Sequence, residues 1–268
     1  MQPHDFVEYH LPALEADEAR HNLILFILAR LLSDASIDIR QWSLGEPGQC
    51  AVQWPNRPIV LGDLNEAQAR ALAEATIDLD YPGVVGPDLT AQYFVDRASA
   101  LGIEFLAPIP QRIHALSGPP RYPGALGLAR LVGVGDAPLF ADWILAFMRE
   151  AVPHDPAPDR EYLVKAVGEG RHMFWIVDGE PVSMAGIVRH TRHGAAIAAV
   201  YTPPALRGRG YAGSVTAAVV ELAFAQGKRV ACLYTDLRNP FSNRCYAKIG
   251  FEPVCSSLHY VRAALPSL

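Results

Sequence analysis

The sequence predicts a mixed α/β protein built in two parts, and three observations carry that expectation. Beyond residue 195 the apolar periodicities alternate strand, helix, strand, helix, strand, the order expected for helices packed on a sheet. Immediately before them, β-rich runs follow one another across short turns, which predicts antiparallel pairing. Midway, the cluster SGPPRYPG at residues 117–124 interrupts the chain with turn-forming residues suited to a linker. The 268 residues, half of them hydrophobic and 19% charged, suffice for a sizeable core and place the chain among globular proteins. The expected organisation is a smaller α/β part over 1–118, a linker over 119–124 and a second part over 125–268.

In the first part a helix is expected near 16–34, short strands near 37–44, 50–54 and 58–62, helices near 65–76 and 87–101, and a strand near 110–116. Asn65 and Asp88 stand at the starts of the last two helices as candidate caps. In the second part APLFADWILAFMREA, residues 137–151, is a strongly apolar helix. PHDPAP follows as a loop, and 159–168 reads as a second helix. HMFWIVD, PVSMAGIVRH and AAIAAVYT are strands, with Asp178-Gly179 as a hairpin turn between the first two. YAGSVTAAVVELAFAQG is a helix stopped by Gly227, with Lys228 and Arg229 beyond its negative end. VACLYTD is a strand, NPFSNRCYAKIGF a short helix stopped by Gly250, and EPVC and SLHYVRA two last strands. Both parts run helices, strands, helix, strand in a loose echo of each other.

Composition narrows the function. A net charge of −5 without a Lys/Arg-rich run gives no reason to expect a nucleic-acid partner. The four cysteines include no C-x-x-C pair, so no metal site is expected, and Cys232 and Cys245 sit in apolar periodic segments as small hydrophobes. The start MQPHDFVEYH has neither a basic nor an apolar signal region. The most apolar run, LILFILARLL, is broken by Arg30 and falls short of the roughly 20 residues of a membrane span. A cytoplasmic protein without a membrane partner is the expectation; oligomeric state is not legible.

The stretch LRGRGYAG, residues 206–213, admits two readings. Gly208, Gly210 and Gly213 spell G-x-G-x-x-G, a dinucleotide loop, and Asp236 ends the next strand near the position of a ribose-binding acid. Arg207, Gly210 and Ala212 spell R-x-x-G-x-A, a loop for the diphosphate of coenzyme A. The entry favours the second. Pro203 and Pro204 impose a stiff extended exit from the strand where a dinucleotide fold turns tightly, and antiparallel-looking strands stand where a βαβ unit is required. Small residues leave room for a diphosphate against the backbone at a helix N-terminus, with Arg207 and Arg209 near it. A glycine-rich turn that only starts a helix is the bland alternative.

A second motif lies at LRNPFSNRCYAKIGFEPV, residues 237–254. Asn239 suits the cap and Pro240 the first turn. Asn239, Ser242, Asn243 and Tyr246 share one polar face, opposite Phe241, Cys245 and Ile249, which is expected to pack on the sheet. Such a face matches the amides of pantetheine, or is merely solvated. With VYTPPALRGRGYAGSV at 200–215, and Asn239, Ser242, Asn243, Tyr246, Lys248, Gly250 and Phe251 in order, residues 125–263 resemble the GNAT superfamily of acyl-CoA-dependent N-acyltransferases, especially its glycine-N-acyltransferase-like branch. Residues before about 118 resemble the degenerate leading half of two-part members.

The resemblance implies a central mixed, mostly antiparallel sheet splayed between its fourth and fifth strands, with acetyl-CoA in the gap. Val200, Tyr201 and Thr202 would hold pantetheine and the thioester carbonyl. The loop from Arg207 through Gly208, Arg209, Gly210, Tyr211 and Ala212 to Gly213 would hold the diphosphate. Asn239, Ser242 and Asn243 would face pantetheine, and Tyr246 would protonate the leaving thiolate. The acceptor would be a small amine or amino acid, with a protein amine left open. Direct attack needs no nucleophilic side chain. His172, His190, His193, Asp236 and Tyr201 are the candidate bases, and an ordered water is the alternative. Helix 137–150, the PHDPAP loop with His154 and Asp155, and the turn near 189–194 are the expected acceptor side, with Trp143 and Phe147 as candidate lining. A coenzyme sensor without turnover and an NAD(P)-dependent oxidoreductase are the competing readings.

Overall fold

The computed structural model describes residues 1–34 and 36–263; residues 264–268 of the expected second part lie outside the described residues. The chain forms two compact units. The first comprises residues 1–113 and 234–238 and the C-terminal segment from 253; the second comprises 114–233 and 239–252.

The first unit opens with α1 (Pro3–Glu15), which the sequence reading omits. Pro12 inside it removes a backbone bond, but Phe6, Val7, His10 and Leu14 are buried along one face and hold the helix. α2 (Glu18–Ser33) starts behind Asp17, whose side chain accepts the Arg20 amide. β1 (Arg40–Ser43), β2 (Cys50–Gln53) and β3 (Ile59–Leu61) form an antiparallel meander. α3 (Glu66–Ala75) is closed by a capping box in which Asn65 and Gln68 satisfy each other's amides. β4 (Gly83–Pro87), also absent from the sequence reading, runs parallel to β3. In α4 (Asp88–Ala100) Pro87 occupies the cap position and Asp88, the expected cap, is already helical. β5 is Ile109–Leu116.

In the second unit, β6 (Leu128–Leu131) is a short strand beside β7 that was too brief for its periodicity to be read. α5 (Ala137–Ala151), α6 (Arg160–Ala166), β7 (His172–Val177), β8 (Glu180–His190), β9 (Gly194–Tyr201), α7 (Tyr211–Ala225), β10 (Val230–Asp236) and α8 (Pro240–Ile249) follow. Asp178 and Gly179 both have positive φ, the geometry of the expected hairpin turn. β6, β7, β8 and β9 pair antiparallel, and β9 pairs parallel with β10. The expected last two strands are one, β11 (Glu252–Val261). It pairs antiparallel with β4, Ser257 opposite Pro87 through Val261 opposite Gly83, so most of it counts with the first unit.

The architecture is mixed α/β on a mostly antiparallel sheet, as expected. The element order also repeats: two helices, an antiparallel meander, a helix, a parallel strand, a helix and a strand. α7 is apolar nearly all round because it is buried nearly all round. Val215, Val219, Val220 and Ala223 are fully buried in one core with Ala185, Ile187, Ile197, Leu233 and Ile249. On the other face of the second unit's sheet, α5 packs Phe140 and Ile144 against Phe174, Met184 and Tyr201. No helix among the described residues is long and apolar enough to cross a membrane.

Candidate functional site

The site is built where β9 ends and α7 begins. β9 pairs parallel with β10 over Gly194–Ala196 against Val230–Cys232, within the second unit. On its other side β9 carries a bulge. Met184 faces Tyr201 and Gly186 faces Ala198, so β9 has one residue more than β8 across that step. Ala199 adopts φ 54°, a left-handed backbone that a β-branched residue would resist and that a bulge requires. The end of the strand, Val200, Tyr201 and Thr202, therefore leaves the regular ladder. Ser183, fully buried, holds it there: its Oγ donates to the Tyr201 carbonyl at 3.0 Å and lies 2.8 Å from Thr202 Oγ1.

Pro203 and Pro204 follow, and they bring no amide to the Thr202 carbonyl. Arg207 supplies the missing donor through Nε at 2.9 Å. Its terminal nitrogen is 2.6 Å from Glu150 Oε2 at the end of α5, and its guanidinium lies over the Tyr201 ring. Arg207 thus braces the entry of the loop, with Glu150 already on its charged end; Arg209 is exposed and has no partner among the described residues.

Gly208 and Gly210 both have positive φ, and Gly210 takes the cap position of α7 with no side-chain cap. The first helical bond runs from the Ser214 amide to the Gly210 carbonyl at 3.1 Å. Among the described residues, the amides of 208–213 have no acceptor. A helix end left open in this way, with its positive dipole, is suited to a diphosphate. Gly213 serves packing: a Cβ there would lie 2.5 Å from Pro123 Cγ and 3.3 Å from Cys245 Sγ. Pro123 and Ala125 also stand beside Gly210, so the linker segment lines the loop.

α8 brings the second motif. Asn239 caps it, its Oδ1 accepting the amides of Phe241 and Ser242 at 3.1 and 3.2 Å. Ser242 Oγ and Asn243 Nδ2 both donate to the Asn239 carbonyl. The polar face exists, but its side chains are bonded largely to their own first turn. Tyr246 packs into the α7 core with its ring 6.1 Å from that of Phe251. Its hydroxyl has no partner among the described residues, and burial pushes its pKa well above the ordinary tyrosine value. The expectation that Phe241 packs on the sheet with Cys245 and Ile249 is corrected. Ile249 is fully buried and Cys245 half-buried, but Phe241 is 75% exposed, because it lies one turn nearer the start of α8 than Cys245, which already meets Gly213 in the first turn of α7.

The candidate bases fare unevenly. Burial, reinforced by Arg171, pushes His172 down to about 4. His190 is lowered by burial, then by Lys228 and Arg171. Asp236 is gripped by Arg238 and held below the usual carboxylate range. Tyr201 and Trp143 face each other at 5.9 Å, and Trp143 meets Phe174 edge-on at 5.2 Å, so Trp143 packs against the core under α5. Phe147 is half-buried in that cluster, and His154 is exposed on its loop.

A bulged strand end followed by an uncapped glycine-rich helix start is the geometry on which the comparisons bear. Residues 138–251 match the model of the acetyltransferase (GNAT) family. A Drosophila protein of known structure aligns over 97% of both chains at 13% identity, with a TM-score of 0.70. A GCN5-related N-acetyltransferase from Kribbella flavida aligns over 84% of this chain and 90% of its own, at 17% identity and a TM-score of 0.57. A tandem GNAT protein from the clavulanic acid biosynthesis pathway aligns over 91% and 89%, at 12% identity and a TM-score of 0.52. At these identities the likeness is one of fold. No curated protein matches the sequence. The dinucleotide reading falls with the family match and the geometry: antiparallel strands lead into β9, and a short 3-10 turn, Pro204–Leu206, separates it from Gly208.

Proposed function

We propose that the second unit is an N-acetyltransferase that moves an acetyl group from acetyl-CoA to a primary amine of a small molecule or amino acid. The observation that carries this is the end of β9, which leaves the ladder of β8 at a bulge and leads into a helix start whose amides lack acceptors among the described residues. Those amides, over 208–213, fit the diphosphate. The backbone of Val200, Tyr201 and Thr202, displaced by the bulge, faces pantetheine and the thioester carbonyl, and a backbone amide there stabilises the developing oxyanion. Asn239 presents its amide nitrogen, since only its oxygen is used in capping. Tyr246 is the general acid: its raised pKa keeps the phenol protonated throughout the neutral range, so it donates to the sulfur as the thioester carbon–sulfur bond breaks. The amine, protonated in water, sheds its proton on entering the partly apolar acceptor side. His172 and His190, both held neutral at pH 7, are positioned only as weak acceptors of that proton.

The first unit is proposed to be a GNAT-like half without its own coenzyme loop, on the strength of the repeated element order. The motif at 239–251 supports the glycine-N-acyltransferase-like branch, and the free thiols are consistent with the cytosol. A second reading, a coenzyme sensor without turnover, is favoured by the local bonding of Asn239, Ser242 and Asn243. Thermal melting with acetyl-CoA and with NAD separates coenzyme classes, because a specific ligand raises the midpoint by mass action. Thiol release from acetyl-CoA with a panel of amines then tests turnover. Stabilisation by NAD and not by acetyl-CoA would end the proposal; stabilisation by acetyl-CoA without thiol release from any amine would favour the sensor.

A further inference from the structure

Phe241 is a large apolar ring left in water in the first turn of α8, and its position relative to the loop follows from the packing of α8. Phe241, Cys245 and Ile249 lie on one stripe of the helix at four-residue steps. Cys245 fixes where that stripe meets α7, beside Gly213 in the first turn. β9 and β10 are parallel, so the helices that follow them begin at the same edge of the sheet. One turn from Cys245 toward the start of α8, roughly 6 Å along the axis, therefore brings Phe241 alongside the loop at Gly208–Gly210. Arg244 stacks on it, its guanidinium carbon 5.4 Å from the ring centroid. Arg244 Nε donates to the Pro240 carbonyl at 3.2 Å, which sets the side chain in place. Its terminal nitrogens have no partner among the described residues, and Arg209 in the loop is likewise unpaired there.

An exposed ring with a cation on one face gains nothing from the protein core and leaves its other face unfilled. The neighbouring feature is a cradle for a diphosphate. The one moiety that extends from a coenzyme A diphosphate away from the thioester is an adenosine carrying a ribose 3′-phosphate. Purines stack on aromatic faces regardless of their hydrogen-bonding edge, and guanidinium groups take phosphate through paired donors. We propose that Phe241 and Arg244 clamp the nucleotide end of the coenzyme, Phe241 stacking on the purine and Arg244 holding the 3′-phosphate. The clamp rests on the acyl-CoA reading of the second unit and adds to it a selection for free coenzyme A over a bare phosphopantetheine arm.

The test is equilibrium binding of CoA, 3′-dephospho-CoA and 4′-phosphopantetheine to the full-length protein, its Phe241→Ala variant and its Arg244→Gln variant, each checked for an unchanged melting curve. Phe241→Ala is expected to weaken CoA and dephospho-CoA by about tenfold and to leave phosphopantetheine unchanged. Arg244→Gln is expected to weaken CoA several-fold and to leave dephospho-CoA unchanged. Parental affinity of both variants for CoA would overturn the clamp while leaving the coenzyme site itself standing. Equal weakening of all three ligands would also overturn it, since that pattern is one of a shifted helix. A folded parent that binds no CoA would remove the underlying reading as well.

Discussion

Replacing Gly213 with alanine tests the packing that holds the loop against α8. In an open helix this change stabilises, because glycine gives up more chain entropy than alanine, by roughly 0.5–1 kcal/mol. Here the added methyl would stand 2.5 Å from Pro123 Cγ and 3.3 Å from Cys245 Sγ, the first distance well inside contact. Pro123 is a stiff ring and Cys245 is fixed to α8, so relief requires the linker to move away from α7. Overpacking of this kind costs about 1–3 kcal/mol. The net expectation is a loss of about 1 kcal/mol, which lowers the melting midpoint by roughly 2–4 °C in a protein of this size. Because Pro123 also stands beside Gly210, the same displacement is expected to disturb the proposed diphosphate cradle and to weaken acetyl-CoA binding. Circular dichroism melts and a binding isotherm measure both effects. A midpoint equal to or above that of the parent, with affinity retained, would show that the helix propensity wins and that the close approach of linker, α7 and α8 is not a constraint.

Tyr246→Phe is expected to lower kcat by about 10²-fold while KM for acetyl-CoA changes little; steady-state kinetics at saturating amine decide it, and parental kcat removes Tyr246 from the acid role. Arg207→Ala loses the Nε bond to the Thr202 carbonyl, and Gly210→Val forces a β-branched residue into φ 83°; each should weaken acetyl-CoA by severalfold in a binding isotherm, and full affinity in both would place the diphosphate elsewhere. His172 stays neutral in the fold down to about pH 4, whereas in the unfolded chain it takes a proton near its ordinary value of about 6.5. Its contribution to stability is therefore present above pH 6.5 and lost as pH falls toward 4. Chemical denaturation across that window should show a shallower slope for His172→Gln than for the parent.

Much of the site was legible because its chemistry is local. Two prolines, three glycines and an asparagine cap write the loop and the start of α8 directly into the chain, and the hairpin at Asp178-Gly179 was readable for the same reason. What escaped depends on contacts distant in sequence. The bulge at Ala199 carries no glycine to mark it, and only the register against β8 reveals it. Glu150, which holds Arg207, lies 57 residues earlier. The exposure of Phe241 was hidden because periodicity identifies a face but not how far the neighbouring helix extends along it. β4 and β6 are too short to show a period, and α1 was masked by Pro12.

The coenzyme site is proposed in one half only although the order of elements repeats, and the two helix starts supply the physical reason for that proposal. In the first unit β3 leads through Gly62, Asp63 and Leu64 into α3, where Asn65 and Gln68 cap each other. Asn65 Oδ1 accepts the Gln68 amide at 3.0 Å and Gln68 Oε1 accepts the Asn65 amide at 2.9 Å; the Leu64 amide is taken by Gly62 and Thr90. The amides of Leu64, Asn65 and Gln68, three donors at this helix start, are thus occupied by the chain itself. In the second unit the connection from β9 to α7 is longer, ends in Gly210 with no capping side chain, and leaves its amides open. A capped helix start gains about 1 kcal/mol of stability; α7 forgoes it, and its open donors are the ones the proposed anion site would use. Installing the first unit's solution in the second tests this directly. Gly210→Asn supplies a capping side chain in a residue type that tolerates the left-handed backbone. It should raise the melting midpoint of the free protein, or leave it level, while reducing acetyl-CoA affinity. A variant that binds the coenzyme as tightly as the parent would show that the open helix start is not what distinguishes the two halves.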